Sequence, residues 1–270
     1  MNSAPIRVAA VLLCLARFLM AADDFTRTNA GFTVRVWETD DGLPQSSVLA
    51  LAQTPDGYLW LGTLNGLVRF DGLRFDVFDP GNTPALEDSR VVKLSVASDG
   101  ALWIKTESDG TVRLHGGQFS RETNSPVELK SAPAPWDVVA TFWRSNSLNS
   151  IYEEIPWGGR RVKTVCDDGN GNLIVGTDGA GVFWIHRDGT IVALNLDNGL
   201  SQDFIRSLLM DREATLWIGT DGGGLNRVTR QDFRVLPETR GLTINSLSAD
   251  ESGELWIGTG ANGLLSWNNG

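Results

Sequence analysis

Cysteine and histidine are both scarce in this sequence. There are two of each, Cys14 and Cys166, His115 and His186. Cys14 falls in an apolar N-terminal segment that we expect to be removed, so only Cys166 remains and an internal disulfide is excluded. Neither histidine has a second metal-type ligand at a characteristic spacing, so we interpret both as surface or packing residues. The sequence therefore predicts no catalytic residue, no metal site and no cofactor.

Basic residues are also in short supply. Lysine and arginine number 23 against 33 aspartates and glutamates, which gives a formal charge of -10 and a pI near 4.7. A protein that binds nucleic acid needs a basic footprint for the phosphates, so the charge argues against that class. It equally disfavours binding to an anionic membrane surface.

Long hydrophobic runs are missing too. The apolar run from Val8 to Leu15 is far below the ~20 residues that a membrane-spanning helix needs. Arg7 precedes this run and small residues, Ala21 and Ala22, follow it. Residues 1–22 therefore predict a secretory signal peptide, with a short inner-membrane anchor as the alternative. An exported protein without a disulfide must be held by its core alone.

Glycine and tryptophan, in contrast, are abundant. The sequence has 30 glycines and ten tryptophans against two tyrosines. This mixture is typical of many short strands joined by tight turns, each strand carrying one large core side chain. A helical bundle would use fewer glycines.

One pentapeptide recurs along the chain. The letters LWIGT occur at 216–220 and 255–259, and near copies stand at 59–63, 102–106 and 173–177. Each copy follows an apolar strand and a turn, most often with Asp or Gly, and precedes a second glycine turn and another strand. The better preserved units add a fourth strand, as at 73–79. Repetition of this kind indicates one structural unit that is stacked.

The pentapeptide itself predicts how the units pack. Side chains alternate along a strand, so the tryptophan and the glycine two positions later share one face, while leucine and isoleucine fill the other. Such a sheet is apolar on both faces and fits between two others. The anchor residues Trp60, Trp103, Ile174, Trp217 and Trp256 are separated by 43, 71, 43 and 39 residues. The fold class is therefore all-β, a propeller of four-stranded antiparallel blades, with the recurring tryptophans in its core.

The number of blades stays open at five or six between residues 32 and 270. The long gap contains a divergent insertion, which we favour, or a degenerate blade at about 119–160, around Trp143. The segment FTVRVWET, from Phe32, has the pattern of an outermost strand without a blade of its own. Its expected partner is the C-terminal blade, which has only three strands. We therefore interpret the chain as an N-terminal fragment of a longer, seven-bladed ring.

Two stretches carry a family resemblance. Residues 41–79 and 208–228 resemble the two-component regulator propeller repeats of bacterial histidine kinases and hybrid two-component proteins. The resemblance implies an exported, periplasmic sensing region. It also implies partners in the full-length protein: a downstream β-sandwich domain, a kinase domain and a second copy in a homodimer. The implied ligand is carbohydrate-like or another polar molecule, and any kinase activity belongs to parts beyond this chain.

The ligand is expected where the units differ, on the loops of one face. In a four-stranded antiparallel blade, the loop entering the first strand and the turn between strands two and three lie at the same end. The candidate ligand-binding residues at this end are Gln45, Asn65, Asp109, Asp178, Gln202, Asp221 and Asn262. Their acids and amides can exchange hydrogen bonds with sugar hydroxyls, and the alternative is that each only forms its turn.

Three other features have simpler interpretations. Cys166 is expected to be a buried thiol in a first strand. The stretch DDGNGN at 167–172 lacks the terminal glutamate of a calcium loop and is interpreted as a turn. DGGG at 221–224 joins two strands and does not open a helix, which argues against a phosphate loop. The competing functions are a ligand sensor, an exported lyase or hydrolase, and an interaction scaffold.

Overall fold

The computed structural model describes residues 27–29, 31–123, 133–146, 148, 156–230, 239–250 and 254–267. The chain divides into two compact units, Met1–Arg230 and Gln231–Gly270. The predicted signal peptide, residues 1–22, lies outside the described residues.

The first unit contains four antiparallel sheets, which we call blades one to four. Blade one consists of β3 (Val48–Gln53), β4 (Leu59–Thr63), β5 (Gly66–Phe70) and β6 (Phe75–Phe78). Blade two consists of β7 (Val91–Val96), β8 (Leu102–Thr106), β9 (Thr111–His115) and β10 (Gln118–Glu122). Blade three consists of β11 (Val162–Asp167), β12 (Leu173–Thr177), β13 (Val182–Ile185) and β14 (Ile191–Leu194). Blade four consists of β15 (Ile205–Met210), β16 (Leu216–Thr220) and β17 (Leu225–Arg230), extended by β2 (Phe32–Trp37) and β1 (Arg27–Asn29).

The blades stack through their first strands. β11 contacts β15, β15 contacts β3, and β3 contacts β7, so the order in space is three, four, one, two. Hydrophobic clusters fill the spaces between neighbouring blades. One joins blades three and four, a second joins four and one, and a third joins one and two. The all-β propeller fold that the repeat predicts is confirmed.

The glycine of the recurring pentapeptide is the point of closest approach between blades. A Cβ on Gly62 would lie 2.7 Å from the carbonyl oxygen of Val91, and one on Gly219 would lie 2.5 Å from that of Val48. In both cases the neighbour is the first residue of the next blade's first strand. Any side chain at these positions would push the blades apart, which is the packing role that the sequence pattern predicts.

The fourth strand of blade four is provided by the N-terminal part of the chain. β2 pairs antiparallel with β17 along its whole length, with Trp37 opposite Leu225. We expected this strand to join the C-terminal blade, and that prediction was wrong, because its partner is β17 of blade four. The indole of Trp37 packs 5.7 Å from Trp217 and 5.2 Å from Phe70, so burial of this ring between blades four and one selects the pairing.

A helix lies in the long gap between blades two and three. α1 spans Pro135–Ser145 and begins with proline at its first turn, where the missing N–H costs nothing. Val139 and Trp143 are buried and pack with blade three. Trp157, in the turn that precedes this blade, stacks on Trp143 at 5.7 Å. The described part of this segment is thus helical around Trp143.

Every first strand begins with a β-bulge. The register with the second strand shifts between the first and third residues of β3, β7, β11 and β15. The extra residue is the second of each strand, and these residues are Leu49, Val92, Lys163 and Arg206. A bulge leaves one residue outside the regular pairing and redirects its side chain.

The second unit is a three-stranded sheet. It consists of β18 (Ile244–Ala249), β19 (Leu255–Thr259) and β20 (Leu264–Trp267), with the same bulge at its start. Two of its leucines, Leu247 and Leu264, are more than half exposed, and Trp256 is 37% exposed. Of the recurring tryptophans, Trp60 and Trp217 are buried as predicted and Trp103 is partly buried, whereas the predicted core position is wrong for Trp256.

Candidate functional site

The turn between strands two and three of one blade docks on the entering loop of the next. In blade four, the backbone N–H of Gly224 donates to the carbonyl oxygen of Ser46 at 2.7 Å. In blade three, the N–H of Gly181 donates to the carbonyl oxygen of Asp203 at 2.9 Å. We call the resulting surface the loop edge, residues 45–47, 161–163, 178–181, 202–206 and 221–224. It runs continuously across blades three, four and one.

Asp221 is the centre of the loop edge. Its Oδ1 accepts a hydrogen bond from Ser47 Oγ at 2.9 Å, and its Oδ2 is ion-paired with Arg206. Partial burial alone would raise the pKa of this carboxyl. The hydrogen bonds from Arg206 and Ser47 and the charges of Arg206 and Lys163 outweigh that effect and lower the pKa of Asp221. The carboxylate is therefore ionised at neutral pH and fixes the Arg206 side chain.

Two glutamines present donors beside this centre. The Oε1 of Gln45 accepts the backbone N–H of Ser47, and the Oε1 of Gln202 accepts the N–H of Asp203 at 2.9 Å. Their carbonyl ends are thus occupied. Among the described residues no acceptor faces either amide nitrogen, so both are available to a ligand.

Phe204 is a residue of the loop edge that the sequence analysis missed. Its side chain is 45% exposed although it immediately precedes a buried strand. It forms an isolated β-bridge with Asp178, and a Cβ on Gly179 would lie 3.2 Å from its ring. The sequence could have indicated this residue, because the residues at the equivalent position of the other units are not aromatic. These are Ser47, Arg90, Arg161 and Thr243.

The remaining predicted residues lie elsewhere. Asn65 belongs to the turn after β4 and Asp109 to the turn after β8, where its carboxylate is 88% exposed and pairs with Lys105 at 3.0 Å. Asn262 is in the second unit. The structure thus brings together Gln45, Asp178, Gln202 and Asp221 of the seven.

The turns themselves have a repeated internal bond. In four of the five pentapeptides, the final threonine donates its Oγ1 proton to a glycine carbonyl and accepts a backbone N–H from the turn. The donated bonds are Thr63 to Gly66 at 2.9 Å, Thr177 to Gly181 at 2.8 Å, Thr220 to Gly224 at 2.9 Å and Thr259 to Gly263 at 2.7 Å. Asn65 and Asn262 supply the accepted N–H with their backbone, so these two residues serve the turn.

The other candidates of the sequence have structural surroundings. Burial and the charges of Asp167 and Asp168 raise the pKa of the Cys166 thiol to about 12, so the thiolate is absent at neutral pH. Asp168 accepts backbone N–H bonds within the 167–172 turn, as a turn residue does. Across the described ranges no three histidine, cysteine, aspartate or glutamate side chains group as metal ligands.

Two cavities lie away from the loop edge. A cleft of about 370 Å³ separates blades one and two at the opposite end, lined by Trp60, Phe78 and Phe119 with Asp56 and His115. A second, of about 600 Å³, lies between α1 and blade three and includes Phe142, Cys166 and Leu173. The arginine in the first cleft, Arg69, is already paired with Asp76.

Comparison with known proteins identifies the repeat. Residues 42–65 match the family model of the two component regulator propeller. A stretch of 61 residues is 38% identical to Histidine kinase P4 of Formosa agariphila, covering 23% of this chain and 4% of that protein. The chain carries a two-component regulator propeller repeat, and the resemblance predicted from its sequence is confirmed.

The solved structures that this chain matches include two bacterial proteins. One is the extracellular domain of BT3049 from B. thetaiotaomicron, assigned to a hybrid two component system, with 19% identity over 88% of this chain and 35% of that chain and a TM-score of 0.29. The other is virginiamycin B lyase from Staphylococcus aureus, with 13% identity over 88% of this chain and 74% of that chain and a TM-score of 0.28. The chain thus spans about a third of the first structure. Within the described ranges no helix has the length and hydropathy needed to cross a membrane.

Proposed function

We propose that this chain is the periplasmic ligand-sensing propeller of a two-component signalling protein. The family repeat at residues 42–65 and the predicted signal peptide support an exported sensor. In the full-length protein, its partners would be a downstream sandwich domain, a histidine kinase and a second copy. The chain itself binds the ligand and catalyses no reaction.

The ligand is carbohydrate-like or another polar molecule, and it binds at the loop edge. The observation that carries this proposal is Phe204, an exposed ring bordered by hydrogen-bonding side chains. A sugar has an apolar C–H face that packs on an aromatic ring and hydroxyls that pair with amides and carboxylates. Gln45 and Gln202 supply donors, and Asp178 supplies an acceptor.

Replacement of Phe204 tests the site. A panel of oligosaccharides is screened by the shift in melting temperature, since a ligand at 100 times its Kd adds about 2.7 kcal/mol to the free energy of unfolding. We expect Phe204→Ala to weaken binding of the active saccharide about tenfold, because aromatic contacts contribute on the order of 1 kcal/mol. Leu73→Ala is the matched control, since Leu73 is 80% exposed at the opposite end of blade one.

The outcomes separate the competing functions. If Phe204→Ala binds the saccharide as well as the parent protein and Leu73→Ala loses affinity, the binding site lies at the opposite end of the blades. Recovery of a cleaved saccharide after incubation would show an enzyme, a lyase or hydrolase. If no saccharide stabilises the protein, an interaction scaffold becomes the better proposal.

A further inference from the structure

The cleft between blades one and two differs from the space between blades four and one. Both spaces are built from equivalent strands, so the register of the strand pairs shows which residues correspond. Trp37 lies opposite Leu225 in blade four, and Phe78 lies opposite Leu67 at the same position of blade one. Where the first space holds an indole, the second therefore holds the smaller ring of a phenylalanine.

A second replacement enlarges the cleft. Phe70 of blade one and Leu114 of blade two occupy equivalent positions, each opposite the leucine that begins the second strand. Between blades four and one, the ring of Phe70 contacts the rings of Phe75 at 4.3 Å, Trp37 at 5.2 Å and Trp217 at 6.1 Å. The leucine in the cleft brings no such ring. The cleft of about 370 Å³ that borders it has the size of a small-molecule site.

The walls of the cleft are aromatic and can be reached from solvent. Trp60, Phe78 and Phe119 form a continuous row, with ring centroids 5.6 and 5.3 Å apart. Phe78, Phe119 and Leu114 are each partly exposed, so a molecule that enters from solvent can touch all three. A ligand ring beside Leu114 would make the aromatic contacts that Phe70 makes in the neighbouring space.

An exposed carboxylate, that of Asp56, stands at the mouth of the cleft. It accepts a hydrogen bond from Thr54 Oγ1 at 2.5 Å, and it forms no ion pair with the described residues. Its charge acts on Arg69, which has its own carboxylate partner. Arg212 and Glu213 of blade four, which bond to the adjoining strand and turn, add one charge of each sign.

The other charges of the cleft are paired. Arg69 pairs with Asp76 and Arg113 pairs with Asp99, both at 2.7 Å. With the histidine of the lining counted as neutral, three carboxylates stand against two guanidinium groups. The excess is one negative charge, and it belongs to Asp56.

We propose that this cleft is a second binding site, which takes a small molecule with one aromatic ring and a protonated amine. The ring packs against Phe78 and Phe119 beside Leu114, and the ammonium group pairs with Asp56 at the mouth. A cation close to aromatic faces is also attracted by their π electrons. The site lies at the opposite end of the blades from the loop edge, so the proposal does not depend on the proposed function.

The test compares one arylalkylamine with molecules that each lack one of its features. Phenethylamine, phenylpropionate, phenethyl alcohol and cyclohexylethylamine are titrated into the protein and followed by NMR. We expect phenethylamine to bind at least about fivefold more tightly than each of the other three, because only it offers both the ring and the cation.

A variant that fills the cleft locates the site. Leu114→Phe introduces the ring that the neighbouring space already contains, and it should weaken phenethylamine binding at least about tenfold without lowering the melting temperature. Leu73→Phe is the matched control, since Leu73 is 80% exposed and does not line the cleft, and it should bind phenethylamine like the parent protein.

A second pair of variants tests the charge. Asp56→Asn should reduce the affinity for phenethylamine about fivefold and leave the affinity for phenethyl alcohol unchanged. Asp40→Asn makes the same change of charge at an exposed residue near the loop edge and should have no effect.

The contrary results are equally definite. Absence of phenethylamine binding, or unchanged binding in a folded Leu114→Phe variant, would overturn the cleft as a binding site. Equal affinity for phenethylamine and phenylpropionate, or an unchanged affinity in Asp56→Asn, would overturn the pairing of an amine with Asp56. If Leu114→Phe does not fold, the comparison of the Asp56 and Asp40 variants decides. None of these results bears on saccharide binding at the loop edge.

Discussion

Asp168 shows how blade three keeps the indole–carboxylate hydrogen bond of the repeat although its anchor residue is not a tryptophan. In blade four the indole N–H of Trp217 donates to Asp211 Oδ2 at 2.7 Å. Blade three has Ile174 at the anchor position, and Trp184 on the neighbouring strand lies opposite it in the register. The indole of Trp184 donates to Asp168 Oδ2 at 3.0 Å, so the same bond is made from the next strand.

Asp168 is therefore a stabilising residue whose effect should depend on pH. It is 4% exposed, and its Oδ2 also accepts the side-chain amide of Asn172 at 2.7 Å. Burial would raise its pKa, but the hydrogen bonds from Asn172, Asn170 and Trp184 lower the pKa of Asp168 overall. A lowered pKa in the folded state means that the stabilisation is present above about pH 4 and is lost as the pH falls through the folded value.

We expect Asp168→Asn to reduce the free energy of unfolding by about 1–3 kcal/mol at pH 7, because each carboxylate oxygen accepts two hydrogen bonds and the amide nitrogen that replaces one oxygen accepts none. Urea unfolding followed by tryptophan fluorescence from pH 7 to pH 3 measures this, and the difference from the parent protein should shrink in the acidic part of the range. Asp188→Asn, at an exposed turn, is the control. Equal losses in the two variants would contradict a specific role for the buried carboxylate.

At the scale of strands and sheets, the pentapeptide glycine determines which sheets can be neighbours. Gly219 abuts Val48 of blade one, whereas blade two has Lys105 at the same position, and its side chain forms an ion pair with Asp109. A long side chain fits there because blade two is the last of the four stacked blades.

We expect Gly219→Ala to destabilise the first unit by about 1–3 kcal/mol, since the new methyl group would overlap a backbone carbonyl that cannot move without shifting a blade. Thermal unfolding by circular dichroism measures the loss. Gly258→Ala is the matched control, because its methyl group would meet only the Ser246 hydroxyl of its own sheet. A loss in the control as large as in Gly219→Ala would show that the effect is local to the strand.

At the scale of the whole molecule, the chain is two compact units, and the first is completed by its own N-terminal strand. β2 supplies the edge strand of blade four, and with it Trp37 enters the core between blades four and one. The first unit therefore contains all the partners of its own sheets among the described residues.

A chain that ends after Arg230 should accordingly fold without the second unit. We expect a cooperative thermal transition and a β-type circular dichroism spectrum from residues 27–230. A chain that starts at Glu38 lacks β2 and should lose that transition, because removal of a buried tryptophan alone costs about 3–5 kcal/mol. If the chain that starts at Glu38 folded and the chain of residues 27–230 did not, the pairing of β2 with β17 would be contradicted.

The sequence by itself determined the strands, the turns and the packing glycines, because side-chain alternation and positive φ are local properties of the chain. It also determined the family repeat and four of the residues that meet at the loop edge. Only the tertiary structure decided that β2 completes blade four, that Trp184 replaces the missing anchor, and that Phe204, Lys163 and Arg206 lie together. These depend on which blades are neighbours and on how the bulges redirect side chains, and no spacing along the chain encodes either.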